Sequence, residues 1–385
     1  MPKEGGAEVP RKNVVRPLIV HDYLIQMGGA ERVVALIAKA FPDAQIVTSA
    51  TKYDTIFPEF YGKRIKNTWM QRIPGIEKRF KALFPLYPFA FKALGKLDAD
   101  IVWMSSSGFA KWANFTKSTE VFCYCHTPPR FFWQPENYLP HEISNPIVRR
   151  LVSAIMPVFR LADYRAAQRI THFIANSNMV KERIREFYGR ESVVIYPPVN
   201  VNRFTVSHDS EDFYLIVSRL VGYKAIDRAV EGLSKLGKRL IIIGDGPDRG
   251  RLQSMAGPTV EFKGRLSDEE VTWHMRNCYA FVFPGLEDFG ITPVEAQACG
   301  KPVLAFGAGG ALETVVAKET GLFFDEPNAE SLASVVPKFE AQTWDSKKIR
   351  ENAEEFSEEV FLKRMISYME EKSNLSLGEF DINER

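Results

Sequence analysis

Two carboxylates, Glu287 and Glu295, stand with seven residues between them in the run Phe281–Val303. Glu287 falls in a loop just beyond an apolar, strand-like stretch, and Glu295 in the first turn of the helix expected next. Structure alone could account for Glu295. Thr292-Pro293-Val294-Glu295 spells a capping box, with Thr292 as N-cap, Pro293 at N1 and Glu295 at N3. The Glu287 loop has no such explanation. Upstream, Arg219 ends the strand-like Leu215–Arg219 and Lys224 follows ahead of the next helix. Two cations at the carboxyl edge of a parallel sheet can neutralise a diphosphate without a metal, Arg by its fork and Lys as a point charge. Read alone, the pair is also ordinary surface charge. Gly28-Gly29 precedes a helix, where glycines let a ligand approach the backbone and free amides attract an anion; a tight turn is the other reading. Gly244-Asp245-Gly246-Pro247 follows a strand in similar style, but Gly250 comes one position too late for G-x-G-x-x-G, so the dinucleotide fingerprint is absent. Asp98-Ala99-Asp100 resembles a metal-binding carboxylate pair, yet it precedes its strand and so falls at the wrong sheet edge. Cys123, Cys125, Cys278 and Cys299 form no CxxC pair and have no His cluster nearby, and are read as reduced structural thiols.

Parallel βαβ units must position these groups. Apolar runs of 4–8 residues alternate with helical-period segments in both halves, which predicts an α/β chain of two doubly wound domains. The break comes at Tyr196–Asn202, with Pro197-Pro198 and no periodicity. We therefore expect a domain over residues 1–196, a linker over 197–204, a second domain over 205–355, and a C-terminal helix and tail over 356–385 that packs back on the first domain. The chain has 385 residues, 45% apolar and 25% charged, the composition of a soluble globular protein. No stretch approaches the ~18 consecutive apolar residues of a membrane span, and residues 1–17 lack the apolar core of a secretory leader, so a cytoplasmic location is expected.

Charge is split. Residues 1–200 hold 28 Lys/Arg against 17 Asp/Glu, and residues 201–385 hold 22 against 31, which gives the halves different partners. The surplus is densest over 63–96, where nine basic residues face only Glu77, among Trp69, Phe80, Phe84, Tyr87, Phe89 and Phe91. A basic, aromatic-rich helix lies well on an anionic membrane surface. A solvated helix face over core aromatics is the alternative, and no nucleic-acid-binding motif accompanies the patch.

From these motifs taken together, the Gly-Gly loop, His126 after a strand, the Pro-Pro linker, Arg219 with Lys224, the Gly244–Gly246 turn, and Glu287 with Glu295, the sequence resembles the retaining, nucleotide-sugar-dependent glycosyltransferases of family 4 over nearly its whole length. That resemblance implies the GT-B arrangement of two Rossmann-like domains with a cleft between them. It implies that Gly28 and Gly29 belong to the donor site, that Arg219 and Lys224 bind the donor diphosphate, that Glu295 bonds ribose hydroxyls and Glu287 the transferred sugar, and that amides near Phe289, Gly290, Ile291 and Thr292 meet phosphate. His126 would lie by the reacting sugar and the acceptor, with Arg130 on the acceptor side. Arg265 and Leu266 are assigned to the base by position. Pro284-Gly285 stands where many relatives have Pro-Ser. The segment Cys123–Trp133 looks like a mannosyltransferase-like branch that builds surface polysaccharides such as lipopolysaccharide, which makes GDP-mannose the expected donor and a glycan or lipid-linked glycan the expected acceptor. The expected reaction uses no cofactor and no divalent metal, and His126 serves as a positioning group or a structural histidine. A sugar-nucleotide epimerase and a non-catalytic glycan-binding protein are the competing readings.

Overall fold

The structure is a computed structural model that describes residues 15–143 and 145–377. Short runs apolar on both faces become fully covered parallel strands, as such runs must when helices pack on each side. In the N-terminal lobe these are β1 (Pro17–His21), β2 (Gln45–Thr48), β3 (Ile65–Asn67), β4 (Ile101–Ser106), β5 (Glu120–Cys125), β6 (His172–Ala175) and β7 (Ser192–Val194), in the order β3-β2-β1-β4-β5-β6-β7. The C-terminal lobe has β8 (Tyr214–Val217), β9 (Leu240–Ile243), β10 (Val260–Gly264), β11 (Ala280–Phe283), β12 (Val303–Phe306) and β13 (Gly321–Phe324), in the order β10-β9-β8-β11-β12-β13. All pairings within both sheets are parallel. In the first sheet the direction of winding reverses between β1 and β4, and in the second between β8 and β11. Ligand crevices of doubly wound sheets open at such reversals, beyond the carboxyl ends of the strands.

Six helices matter for the site and its surroundings: α1 (Gly29–Ala40), α2 (Pro146–Ala167), α3 (Asn178–Tyr188), α4 (Ile226–Lys235), α5 (Ile291–Ala298) and α6 (Glu358–Ser373). The chain passes between lobes near Val199 and returns just before α6. The two crossings touch there, the Val199 amide donating to the Phe356 carbonyl at 2.8 Å. Phe361, Leu362, Met365 and Met369 of α6 then enter the N-terminal core beside Ile19, Val34 and Phe122.

The structure corrects the reading of residues 63–96 as a basic amphipathic helix. Pro74, Gly75, Pro85 and Pro88 break it into β3, single 3-10 turns and the short helices Ile76–Arg79 and Tyr87–Lys92. Tyr87 and Phe91 are core residues, whereas Phe89 and Trp69 are exposed. Short helices at Arg130–Trp133, Pro135–Glu142, Arg249–Met255 and Ser346–Glu354 add elements that the periodicity did not mark.

A buried polar cluster ties α2 to the N-terminal sheet. Lys111 and Asp163, neither reached by solvent, lie 3.4 Å apart. Asp163 also accepts from Tyr188 Oη at 2.7 Å and Trp133 Nε1 at 2.9 Å, and Lys111 Nζ donates to the Gly108 carbonyl at 3.0 Å. Desolvation works against the ammonium, but the charge of Asp163, joined by weaker neighbours, prevails and holds Lys111 above its ordinary pKa. Lys111→Met strands the carboxylate in the core, with an expected loss of about 3–5 kcal/mol in unfolding free energy, measured by urea titration followed by tryptophan fluorescence.

Candidate active site

Loops from both lobes meet across one cleft: those after β1 and β5 from one lobe, and those after β8 and β11 from the other. The loop after β8 carries Arg219 and Lys224. Arg219 is exposed, and its guanidinium has no partner among the described residues. Lys224 Nζ sits 2.5 Å from Glu287 Oε2, both half-buried. Glycines set this geometry. A Cβ on Gly244 or Gly246 would run into the carbonyls of Ser218 and Leu220, and one on Gly285 would lie 2.7 Å from the Lys224 carbonyl. The Gly244–Gly246 turn is thus the backing of the cationic loop rather than a phosphate loop. Glycine at 285 likewise lets the Glu287 loop close on Lys224.

Gly290 caps α5 at φ +95°, without a side-chain cap bond, and the helix begins at Ile291. This overturns the capping-box reading. Thr292 and Pro293 are the second and third helical residues, and Glu295 lies a turn further on, so capping does not explain it. Its carboxyl is raised above the ordinary value, first by burial, while the charges of Arg32 and Arg203 pull the other way. The start of α5 adjoins the opposite lobe, where a Cβ on Gly29 would come within 3.3 Å of the Ile291 side chain. Gly28 is the N-cap of α1, in extended conformation. Phe289 is itself buried against Tyr196 and Phe356, so it offers backbone and not side chain to a ligand. Arg265 follows β10, two strands from the reversal, and is exposed; Leu266 packs on the C-terminal core.

His126 follows β5 and is held from behind. Its Nε2 lies 2.8 Å from Ser105 Oγ, and Ser105 Oγ lies 3.0 Å from His21 Nδ1. That His21 nitrogen is also 3.3 Å from the Ser105 carbonyl, which can only accept, so the network assigns the proton to His21 Nδ1. The Ser105 hydroxyl then accepts from His21 and donates to His126 Nε2. His126 Nδ1 is left as the nitrogen that can donate to a ligand. Buried Glu31 lies behind His21, 3.9 Å from its Nε2. Burial, then the charge of His21, pushes the His126 pKa down to about 3, so the ring is neutral at physiological pH.

Arg130 is taken up by Asp288 at 2.6 Å, across the cleft. Arg183, on α3, reaches the same carboxylate at 2.6 Å and the Thr127 hydroxyl at 3.1 Å. The carboxylate of Glu313 accepts from the Asn178 amide at 2.9 Å, satisfying the start of α3 from the other lobe. Sequence reasoning named neither Asp288 nor Arg183; the only hint was the acid beside Glu287. Asp98 and Asp100 are both occupied by Arg16, at 2.8 and 2.9 Å. Among the described residues no group of three or more His, Cys, Asp or Glu could hold a metal ion.

Two family models match in succession, Glycosyltransferase Family 4 over residues 27–203 and Glycosyl transferases group 1 over residues 200–356. An uncharacterized glycosyltransferase of Methanocaldococcus jannaschii is 29% identical over 48% of this chain, which spans about half (54%) of that protein. An alpha-1,3/1,6-mannosyltransferase of Dictyostelium discoideum is 24% identical, covering 86% of this chain and 90% of its own. A GDP-mannose-dependent alpha-(1-6)-phosphatidylinositol monomannoside mannosyltransferase of Mycolicibacterium smegmatis is 27% identical over 48% of this chain and 56% of its own. Among solved structures, Anabaena HepE in complex with UDP superposes with a TM-score of 0.66 at 18% identity, over 92% of this chain and all of that one. The chain belongs to the family 4 glycosyltransferases and has the GT-B fold.

The depressed His126 pKa carries a pH signature. Between about 3 and the ordinary 6.5 the unfolded chain binds a proton at this ring that the folded one refuses. Its contribution to stability is therefore complete above 6.5 and lost as pH falls through that window. His126→Gln removes this part of the slope, so the melting temperatures of the two proteins, compared from pH 7 down to pH 4, fall less steeply for the variant.

Proposed function

We propose that this family 4 glycosyltransferase moves a hexose, with mannose from GDP-mannose as the leading donor, onto a glycan or lipid-linked glycan, with retention at the anomeric carbon. The single observation that carries the reading is Arg219, without a partner among the described residues, together with Lys224 and the start of α5, which has no side-chain cap, all at the carboxyl edge of the C-terminal sheet. Mannose is supported by the names of the relatives and by the segment Cys123–Trp133.

Expelling a nucleoside diphosphate builds negative charge on the leaving oxygen and positive charge on the sugar ring. Arg219, Lys224 and the α5 amides act on the first, as preorganised groups that need not reorient during the reaction. Glu287, already paired with Lys224, then accepts from sugar hydroxyls while its neighbour turns to phosphate. Glu295 accepts from the ribose, and Arg265 with Leu266 flanks the base. His126 offers Nδ1–H to the sugar or acceptor, and its occupied Nε2 fits a positioning group better than a base. The acceptor hydroxyl enters on the face the diphosphate leaves, and a phosphate oxygen takes its proton. We assign no protein nucleophile and no divalent metal, since the two cations supply the charge a metal would. The site is read as working at the cytoplasmic face of a membrane, with the lobes closing on the donor.

Thermal shift against a panel of nucleoside diphosphates and nucleotide sugars tests the donor, because a ligand that binds the folded state raises its melting temperature. GDP and GDP-mannose should give the largest shifts, undiminished by chelator. Arg219→Ala should lower kcat by about 10²–10³, the effect of removing one preorganised donor. Glu295→Gln should leave the melting temperature unchanged while weakening GDP binding by roughly ten-fold, the scale of one charge-assisted hydrogen bond. No response to any nucleoside diphosphate overturns the reading.

A further inference from the structure

Helix α2 is apolar on both of its sides. Met156 and Ala166 are buried in the N-terminal core, with Val152 and Phe159 packed against it. The opposite side is bare: Ile147 is 71% exposed, Leu151 66% and Val158 69%, with Leu161, Val148, Ile155 and Tyr164 also exposed. Ile147, Leu151, Val158 and Leu161 recur at i, i+4, i+11 and i+14, which keeps them on one helical face. Seven of the eighteen large hydrophobic side chains exposed among the described residues lie on this one helix. So continuous an apolar stripe marks an interaction surface rather than scattered exposure. No helix among the described residues is long and apolar enough to cross a membrane, so the stripe belongs to a helix that lies along its partner.

Charge selects the partner. Arg150 and Arg165 are exposed on α2, Arg149 is half-buried, and Arg160 turns inward to donate to the Phe132 carbonyl; the only acid of α2, Asp163, is sealed in the core against Lys111. Every charge that α2 shows to solvent is positive. Phe159, on the inner side of α2, packs on Phe84 at 5.1 Å, so α2 neighbours a segment in which Lys78, Arg79 and Phe89 are also exposed. A second copy of the chain would set these cations against their own kind. An anionic bilayer instead offers hydrocarbon to the stripe and phosphate to the arginines.

We propose that α2 docks the enzyme on an anionic phospholipid bilayer, its outer stripe in the headgroup layer and Arg150 and Arg165 at the lipid phosphates. This rests on the reading of an acceptor met at a lipid surface, and it moves the membrane contact from the broken segment 63–96 onto a long, regular helix.

The test is vesicle flotation of the full chain, with phosphatidylcholine alone and with phosphatidylglycerol added. The protein should float with the mixed vesicles, stay down with phosphatidylcholine alone, and be released by high salt. The double variant Leu151→Ser with Val158→Ser changes only outward side chains. It should keep the wild-type melting temperature and the GDP-induced thermal shift, while its bound fraction falls about ten-fold. Equal flotation with both vesicle types, or flotation of the variant like wild type, overturns the proposal. So does light scattering that finds a wild-type dimer which the variant converts to monomer, since a second copy then covers the stripe. Flotation as expected with no GDP response upholds the docking surface and removes the donor reading alone.

Discussion

One carboxylate holds the cleft at its width. Asp288 leaves the C-terminal lobe next to Glu287 and receives both Arg130 and Arg183 from the other lobe. The two guanidinium groups clasp the loop after β11 to the loop after β5 and to α3, so any opening of the lobes must first release Asp288. Glu313 repeats the device at the start of α3. The faces brought together are those that parallel winding had already made receptive to anions, with strand carboxyl ends on both sides and a bare helix start on one.

Within that frame the charges are unequal in their readiness. Arg219 has no partner among the described residues, whereas Lys224 is paired with Glu287 at 2.5 Å. On the proposed reading, a diphosphate would meet Arg219 first and win Lys224 only by competing with a carboxylate. A glutamate that surrendered its cation would have an oxygen free for sugar hydroxyls. Opposite, the His126 ring is oriented by the Ser105 hydroxyl, whose hydrogen bond to Nε2 fixes the tautomer of a neutral ring.

Much of this was legible in the amino-acid order. Runs such as Leu240–Ile243 and Ala280–Phe283 are too short and too uniformly apolar for anything but covered strands, and their alternation with helices located the strand ends where Arg219, Lys224, Glu287 and His126 stand. What escaped depends on distance in space. Arg183 and Asp288 lie 105 residues apart and meet only because two lobes pack. Thr292-Pro293-Val294-Glu295 spells a helix start, but Gly290 takes a left-handed conformation open to few other residues and starts the helix two residues earlier than Pro293. Periodicity located α2 and could not tell which of its two apolar sides the fold would cover. Over 63–96 the density of basic and aromatic residues outweighed three prolines that forbid a continuous helix.

The two chain crossings meet at Val199 and Phe356, tied by a backbone bond and surrounded by Tyr196, Phe289 and Phe356 in ring contact. Two tethers fastened at one place act as a pivot: they permit swinging and resist sliding. Relative movement must then grow with distance from that aromatic bearing, so a small angular change there becomes a wide stroke at the far rim of the groove, while Gly290, adjoining Phe289, stays almost stationary. On the proposed reading, phosphate would be held near the axle, and one joint could steady the nucleotide while the far rim of the groove moves.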